Sequence, residues 1–114
     1  MEPLIMEPTV LTADAIAHLA DQQLDTLDGI SHRILWRSDT SMAGVLHVAG
    51  GHRLGTHSHR RNEHHMWVLN GQAIVLGHVV SAGSYIHVPS GVDHDIDASA
   101  SAGCTVYYLY LLPG

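Results

Sequence analysis

Alternating apolar and polar positions dominate the chain from residue 30 onward, and they predict a series of short strands. The stretches ISHRILWR and MAGVLHVA flank the polar turn SDTS, which predicts a hairpin. Further strand candidates follow at HMWVL, QAIVLGHVV, SYIHV and CTVYYLYLL, with glycines or prolines between them. Asn70-Gly71 lies between the first two of these and predicts a second hairpin, because both residues tolerate positive φ. Short strands without intervening helices indicate an all-β sandwich or barrel.

The residues before this strand series have a different pattern. Residues 1–11 contain two Glu-Pro pairs and little periodicity, and we expect them to form an N-terminal arm. Residues 12–25 carry apolar side chains at helical spacing after Thr12, a suitable capping residue, so they predict a short helix. A chain of 114 residues is long enough for one compact domain. We therefore expect residues 1–114 to form a single domain with a β-barrel over residues 30–112.

The charge and the single cysteine limit the classes of partner. The chain has 11 acidic residues against five basic ones and a formal net charge of -6. This balance repels phosphate backbones and anionic lipid headgroups, so neither a nucleic acid nor a membrane is expected as a partner. Cys104 has no second cysteine for an intramolecular disulfide, and no secretory signal is visible. The expected location is the cytoplasm.

Histidine is over-represented, with 11 residues in the chain. His57 and His59 are two positions apart, so on an extended strand they project from one face about 6.6 Å apart at the backbone. Two imidazoles at that separation can converge on one metal ion. A third ligand can enter from the start of the next strand, at Glu63, His64 or His65.

A fourth candidate ligand, His94, follows a second glycine- and proline-containing segment. Pro89 and Gly91 predict a sharp turn at the end of the strand SYIHV. This turn would present His94 across the barrel toward the other histidines.

Residues 51–98 closely resemble the cupin family, whose motifs are G-x5-H-x-H-x(3 or 4)-E-x6-G and G-x5-P-x-G-x2-H-x3-N. The matching residues are Gly51, His57, His59 and Gly71 in the first motif and Gly83, Pro89, Gly91 and His94 in the second. Ala98 replaces the final asparagine of the second motif. The resemblance implies the all-β cupin fold, a double-stranded β-helix or jelly-roll barrel, here with a short N-terminal helix, and one divalent metal ion per subunit.

The position of the family's glutamate is where this sequence departs from the motif. Counting six intervening residues back from Gly71, or four forward from His59, leads to His64. Glu63 fits only the shorter spacing and then misses the glycine by one position. We therefore assign His64 as the third ligand and keep Glu63 as the alternative. Because neighbouring strand residues point to opposite faces, this choice directs Glu63 and His65 outward.

An all-histidine site has consequences for the ligand. Neutral imidazoles leave the +2 charge of the ion uncompensated, which favours an anionic small-molecule substrate such as an enolate or carboxylate. Imidazole suits iron, zinc, manganese and nickel alike, so the identity of the ion stays open. His47, His87 and Tyr108 are candidates for pocket-lining groups, the histidines as proton-transfer residues.

The resemblance extends to several kinds of cupin function. Small cupins with all-histidine sites are similar to diketone-cleaving dioxygenases, which implies an iron-dependent oxidoreductase. A metal-dependent lyase or isomerase would need the same ligands, and a resemblance to the cupin domains of zinc-binding anti-sigma factors implies a regulatory or sensor module instead. Cupins commonly pair through outer strands, so the apolar run CTVYYLYLL and the N-terminal arm predict a homodimer.

Overall fold

The computed structural model describes residues 7–24, 27–58 and 62–111. Apart from one short helix, the regular structure of these residues is β, so the predicted all-β class is confirmed. The elements are α1 (Ala13–Ala17), β1 (Gln22–Gln23), β2 (Ile30–Arg37), β3 (Met42–Ala49), β4 (Glu63–Val75), β5 (His78–Ser81), β6 (Tyr85–Val88) and β7 (Gly103–Leu111). Across the described ranges, every helix is too short or too polar to span a bilayer.

The N-terminal helix begins as predicted but is shorter. Thr12 caps it, with its Oγ1 accepting a hydrogen bond from the backbone N–H of Ala15 at 3.1 Å. The helix ends at Ala17, because the chain then extends and β1 pairs with β2. The prediction of helix over residues 12–25 is therefore wrong in its extent. Of the predicted arm, residues 1–6 lie outside the described residues.

The strands form one antiparallel arrangement in the order β1-β2-β3-β7-β4-β5, and β6 pairs with β4 on the side opposite β7. The first part of β4 pairs with both β6 and β7, whereas its last part pairs with β5. A further ladder joins residues 51–57 to residues 94–98 outside the named strands. This ladder matters for function because it contains His57 and His94, one candidate ligand from each motif.

One of the two predicted hairpins is confirmed and the other is wrong. The β2–β3 hairpin is present, with Ile30 opposite Val48. The chain does not turn at Asn70-Gly71, because β4 continues through both residues and pairs them with β7 across an irregularity in register. The turn lies instead at Leu76 and Gly77, whose φ values of 50° and 78° suit a two-residue hairpin between β4 and β5.

Alternation along β4 decides which side chains face the interior. His64, Met66 and Val68 are buried, whereas Trp67 between the last two is 38% exposed. Because successive strand residues point to opposite faces, positions 63 and 65 lie on the outer face with Trp67. The inward positions pack into a core composed of Ile30, Leu46, Val48, Met66, Val68, Ala73, Val75, Val80, Val88, Ile96, Ala98, Cys104, Val106 and Tyr108.

Candidate metal centre

Three of the four predicted ligands come together at one end of the barrel interior. His64 and His94 are 1% and 3% exposed, and His57 is half-buried. The Nδ1 atom of His64 lies 3.2 Å from Nε2 of His94. The ring centroids are 4.2 Å apart for His57 and His94 and 5.3 Å apart for His64 and His94.

Backbone pairing places His57 beside His94. The two residues form an isolated antiparallel bridge in which each backbone N–H donates to the other's carbonyl, at 2.9 and 2.8 Å. His64 reaches the same point from β4, on the buried face of that strand. The centre is thus built from three separate segments that only the folded chain brings together.

Local carbonyl groups orient two of the imidazoles. Nδ1 of His57 lies 2.9 Å from the carbonyl oxygen of Gly55, and Nδ1 of His94 lies 3.1 Å from that of Val92. A carbonyl only accepts, so each Nδ1 carries the proton and donates it. This tautomer puts the ring's lone pair on Nε2, which is how metal-ligating histidines are commonly held.

The environment of His94 favours its neutral form. Burial lowers the pKa of His94, and the nearby His57 lowers it further. The hydrogen bond to the Val92 carbonyl and the charges of Asp95 and Asp93 act in the opposite direction but do not prevail. A neutral imidazole is the form that binds metal, so the site is electrostatically suited to a cation.

The arrangement fits a divalent ion by a simple geometric test. Two nitrogens bound to one ion at 2.0–2.1 Å in neighbouring coordination positions lie roughly 2.9–3.4 Å apart. The 3.2 Å between His64 Nδ1 and His94 Nε2 falls within this range. His59, the remaining predicted ligand, lies outside the described residues, so its role stays a prediction.

A charged pair supports the loop that presents His57. The guanidinium Nε of Arg53 donates to Asp95 Oδ2 at 2.7 Å, and the backbone N–H of Gly55 donates to Asp95 Oδ1 at 2.7 Å. Gly55 in turn orients the His57 ring through its carbonyl. Arg53 therefore helps to position the loop through Asp95, and Asp95 is linked through Gly55 to the candidate ligand His57.

Asp95→Ala is expected to weaken metal binding without removing the site. Its loss frees Gly55 and with it the orientation of His57, and outer partners of this kind are worth about 10–100-fold in affinity. Isothermal titration calorimetry with Zn²⁺ should show that increase in Kd at unchanged stoichiometry for this centre. Asp28→Ala, an exposed carboxylate on the same chain, is the control. An unchanged Kd in Asp95→Ala would contradict the supporting role.

A cavity of about 660 Å³ opens beside the histidines. His57, Tyr108 and Tyr110 all line it, and the Tyr110 ring lies 4.3 Å from the His64 ring between centroids. The other lining residues are Leu24, Leu27, His32, Arg37, Ser38, Asp39, Thr40, Ser41, Met42, Leu46, Leu54, Gly55, Thr56 and Asn62. A phenol of ordinary pKa is already protonated at neutral pH, and burial raises the pKa of Tyr108 and that of Tyr110 further.

Tyr108 lines this cavity as expected, but the two pocket histidines do not. His47 is exposed on the outward face of β3, where its Nδ1 lies 2.8 Å from Thr105 Oγ1. His87 is exposed on β6. Neither histidine is among the residues that line this cavity, because neighbouring inward positions carry the side chains that face the interior.

Glu63, the alternative third ligand, also faces away from the centre. Its carboxylate lies with His65 and His87 in a cluster whose possible ligand atoms are all within 4.8 Å of one another. The sequence reasoning missed this cluster, and it missed Arg37 and His32 as cavity residues. Among these cavity residues, Tyr110 is the one that the sequence could have indicated, because it shares a strand face with Tyr108.

Comparison with known proteins supports the fold of this chain. The family model for the ChrR cupin-like domain matches residues 12–111. A predicted oxalate decarboxylase from Thermotoga maritima is similar to this chain with a TM-score of 0.78 and 14% identity, over 92% of this chain and 100% of the other. KdgF from a Halomonas species is similar with a TM-score of 0.76 and 18% identity, over 94% of this chain and 96% of the other.

A third similar structure is the complex of SigE with the anti-sigma ChrR from Rhodobacter sphaeroides. It matches with a TM-score of 0.68 and 19% identity, over 82% of this chain and 49% of the other. A comparison with curated proteins found no match. The structural matches confirm the predicted cupin barrel.

Proposed function

This chain belongs to the ChrR cupin-like domain family, and we propose that it binds one divalent metal ion per subunit and acts on an anionic small molecule. The proposed ligands are His57, His59, His64 and His94. The observation that carries the proposal is the approach of His64 and His94 to 3.2 Å, together with the position of their neighbour His57 in the lining of a cavity of about 660 Å³. A site built only for structure would have no need of such a cavity.

The residues around the cavity suit an anionic, partly apolar molecule. When bound, the ion would supply a Lewis acid whose positive charge neutral imidazoles do not offset. Tyr108 and Tyr110 line the cavity, and their protonated phenols can donate hydrogen bonds to an oxyanion. Leu46 and Leu54 contribute apolar wall, and Arg37 and Asp39 place one positive and one negative charge at the lining.

Among reactions, we favour cleavage of an enolisable substrate by dioxygen. The enolate of a 1,3-diketone presents two oxygens on one side, which suits a cation, and apolar carbon on the other, which suits the leucine wall. In that reaction one carbon–carbon bond breaks and both atoms of dioxygen enter the two carbonyl products. A lyase or isomerase using the same ligands is the alternative enzyme.

Iron-loaded protein is expected to consume dioxygen in step with loss of pentane-2,4-dione, one molecule for one. Oxygen-electrode traces and product analysis measure this, and His94→Ala should reduce the rate to that of free iron in buffer, because a ligand is lost. Equal substrate loss under nitrogen would contradict the dioxygenase and favour a lyase or isomerase.

A second candidate is a zinc-dependent regulatory module. The match to the ChrR domain favours it, since the similar structure holds an anti-sigma factor with SigE. Zinc as the metal in purified protein, no dioxygen uptake after iron loading and a stable complex with a sigma factor on size exclusion would together favour this candidate. The homodimer also stays a prediction, which the same column would test.

A further inference from the structure

We propose that Glu63, His65 and His87 form a second metal site on the outer face of the sheet, which takes a late first-row divalent cation such as Zn²⁺. Two imidazoles and one carboxylate are a donor set that zinc, copper and nickel accept and that magnesium and calcium do not prefer. The proposal does not rest on the function of the inner centre, because none of its three residues is an assigned ligand there.

The side chains are already close to coordinating distance. Glu63 Oε2 lies 3.7 Å from His87 Nε2 and 3.9 Å from His65 Nε2. The two imidazole rings stack with centroids 4.8 Å apart and planes 25° apart. Donors around one ion are roughly 2.9–3.4 Å apart, so shifts of less than about 1 Å would bring the carboxylate oxygen into position against each ring.

The strand register produces this proximity. His65 on β4 is directly opposite His87 on β6, and cross-strand partners have their Cβ atoms about 4.5–5.5 Å apart. Glu63 precedes His65 by two positions and therefore shares its face. A rigid antiparallel pair thus holds all three side chains, and no loop has to move to assemble the site.

A tyrosine fixes the orientation of one imidazole. The Tyr85 hydroxyl is hydrogen-bonded to Nδ1 of His65, and the two rings lie nearly parallel with centroids 6.0 Å apart. Occupation of Nδ1 by this partner leaves Nε2 of His65 directed toward Glu63. Outer partners of this kind orient histidine ligands in metal sites and strengthen them.

Exposure and charge also suit a cation. The side chains of Glu63, His65 and His87 are 38%, 21% and 39% exposed, so an ion can enter while keeping water in its remaining positions. The carboxylate offsets one of the ion's two charges. The chain as a whole carries a net charge of -6, which adds to the attraction.

A cation in this site would link β6 to β4. β4 is the strand with which β6 pairs among the described residues, and the chain continues from β6 to His94 within a few residues. An ion bound by His65 and His87 would therefore hold the strand that leads to a ligand of the inner centre. The outer ion would act as a brace, separated from the cavity by the sheet itself.

Zinc titration of protein made without a histidine tag and stripped of metal tests the proposal. Calorimetry is expected to give two equivalents of Zn²⁺ for the natural chain and one for His87→Ala. Glu63→Gln should raise the Kd of Zn²⁺ at the outer site about tenfold or more, because the carboxylate charge is lost. His78→Ala, which removes an exposed strand histidine outside the cluster, is the matched control and should still bind two equivalents.

Ring-nitrogen spectra of ¹⁵N-histidine-labelled protein identify the ligands directly. The signals of His65 and His87 are expected to shift with one of the two equivalents, and those of His78 to stay in place. His94→Ala should lose the other equivalent, so failure of the inner centre and failure of the outer site give different results. Two equivalents retained by His87→Ala, or unmoved His65 and His87 signals in the natural chain, would overturn the outer site.

Discussion

His64→Ala is expected to lose the ion of the inner centre, whereas Glu63→Ala is expected to keep it. His64 is 1% exposed with its Nδ1 3.2 Å from His94 Nε2, and Glu63 lies on the opposite face of β4. Removing one of a few imidazole ligands leaves a buried centre with too few donors to replace the ion's water. Metal content after gel filtration measures the loss, which should approach one full equivalent.

The comparison is cleanest in a His87→Ala background, which removes the outer cluster. There the parent should bind one equivalent, addition of Glu63→Ala should leave it, and addition of His64→Ala should abolish it. His64→Leu fills the buried volume with apolar atoms and separates loss of metal from loss of fold, which circular dichroism checks. Loss of metal with Glu63→Ala but not with His64→Ala would require β4 to be shifted by one residue.

The inward position of His64 could be predicted because it follows from the spacing of the cupin motif that this sequence resembles. The intervals from His59 and to Gly71 both led to His64, and alternation along a strand then sent Glu63 outward. No such interval was available for His47 and His87. Their facing depends on how β3 and β6 register against their neighbours, and that register is set by contacts distant in sequence.

The outer cluster was beyond sequence reasoning for the same reason. Glu63 and His65 are two apart and visibly share a face, but nothing local indicates that His87 is the residue opposite His65. Pairing of β4 with β6 decides it. Long-range strand pairing is what a single sequence reveals least, whereas the alternation within each strand is directly readable.

The wrong hairpin shows how tertiary pairing overrides a local turn signal. Asn70-Gly71 has the composition of a type I′ turn, yet both residues pair with β7, and the turn forms at Leu76-Gly77. Gly71 keeps a positive φ of 82°, so its conformational freedom is used at an irregularity within a strand. Gly71 of the motif therefore allows β4 to continue past this irregularity while it stays paired with β7.

Gly71→Ala is accordingly expected to lower the free energy of unfolding by about 3 kcal/mol or more. A Cβ at this position would overlap the carbonyl oxygen of Gly103 and lie 3.0 Å from the Cα of Cys104, and both are backbone atoms that the β4–β7 pairing holds in place. The positive φ adds its own strain for any residue with a Cβ. Urea denaturation measures the loss, and the melting temperature should fall by roughly 12 °C.

Gly77→Ala separates the two causes, since Gly77 has nearly the same φ of 78° but nothing within 4 Å of an added Cβ. It should cost only about 1 kcal/mol, the price of the left-handed backbone without a clash. The difference between the two variants then measures the close approach of β4 to β7. Equal losses of stability in the two variants would mean that the backbone of β7 can move away at Gly103. The pairing of β4 with β7, which also holds His64, would then be less rigid than the contacts indicate.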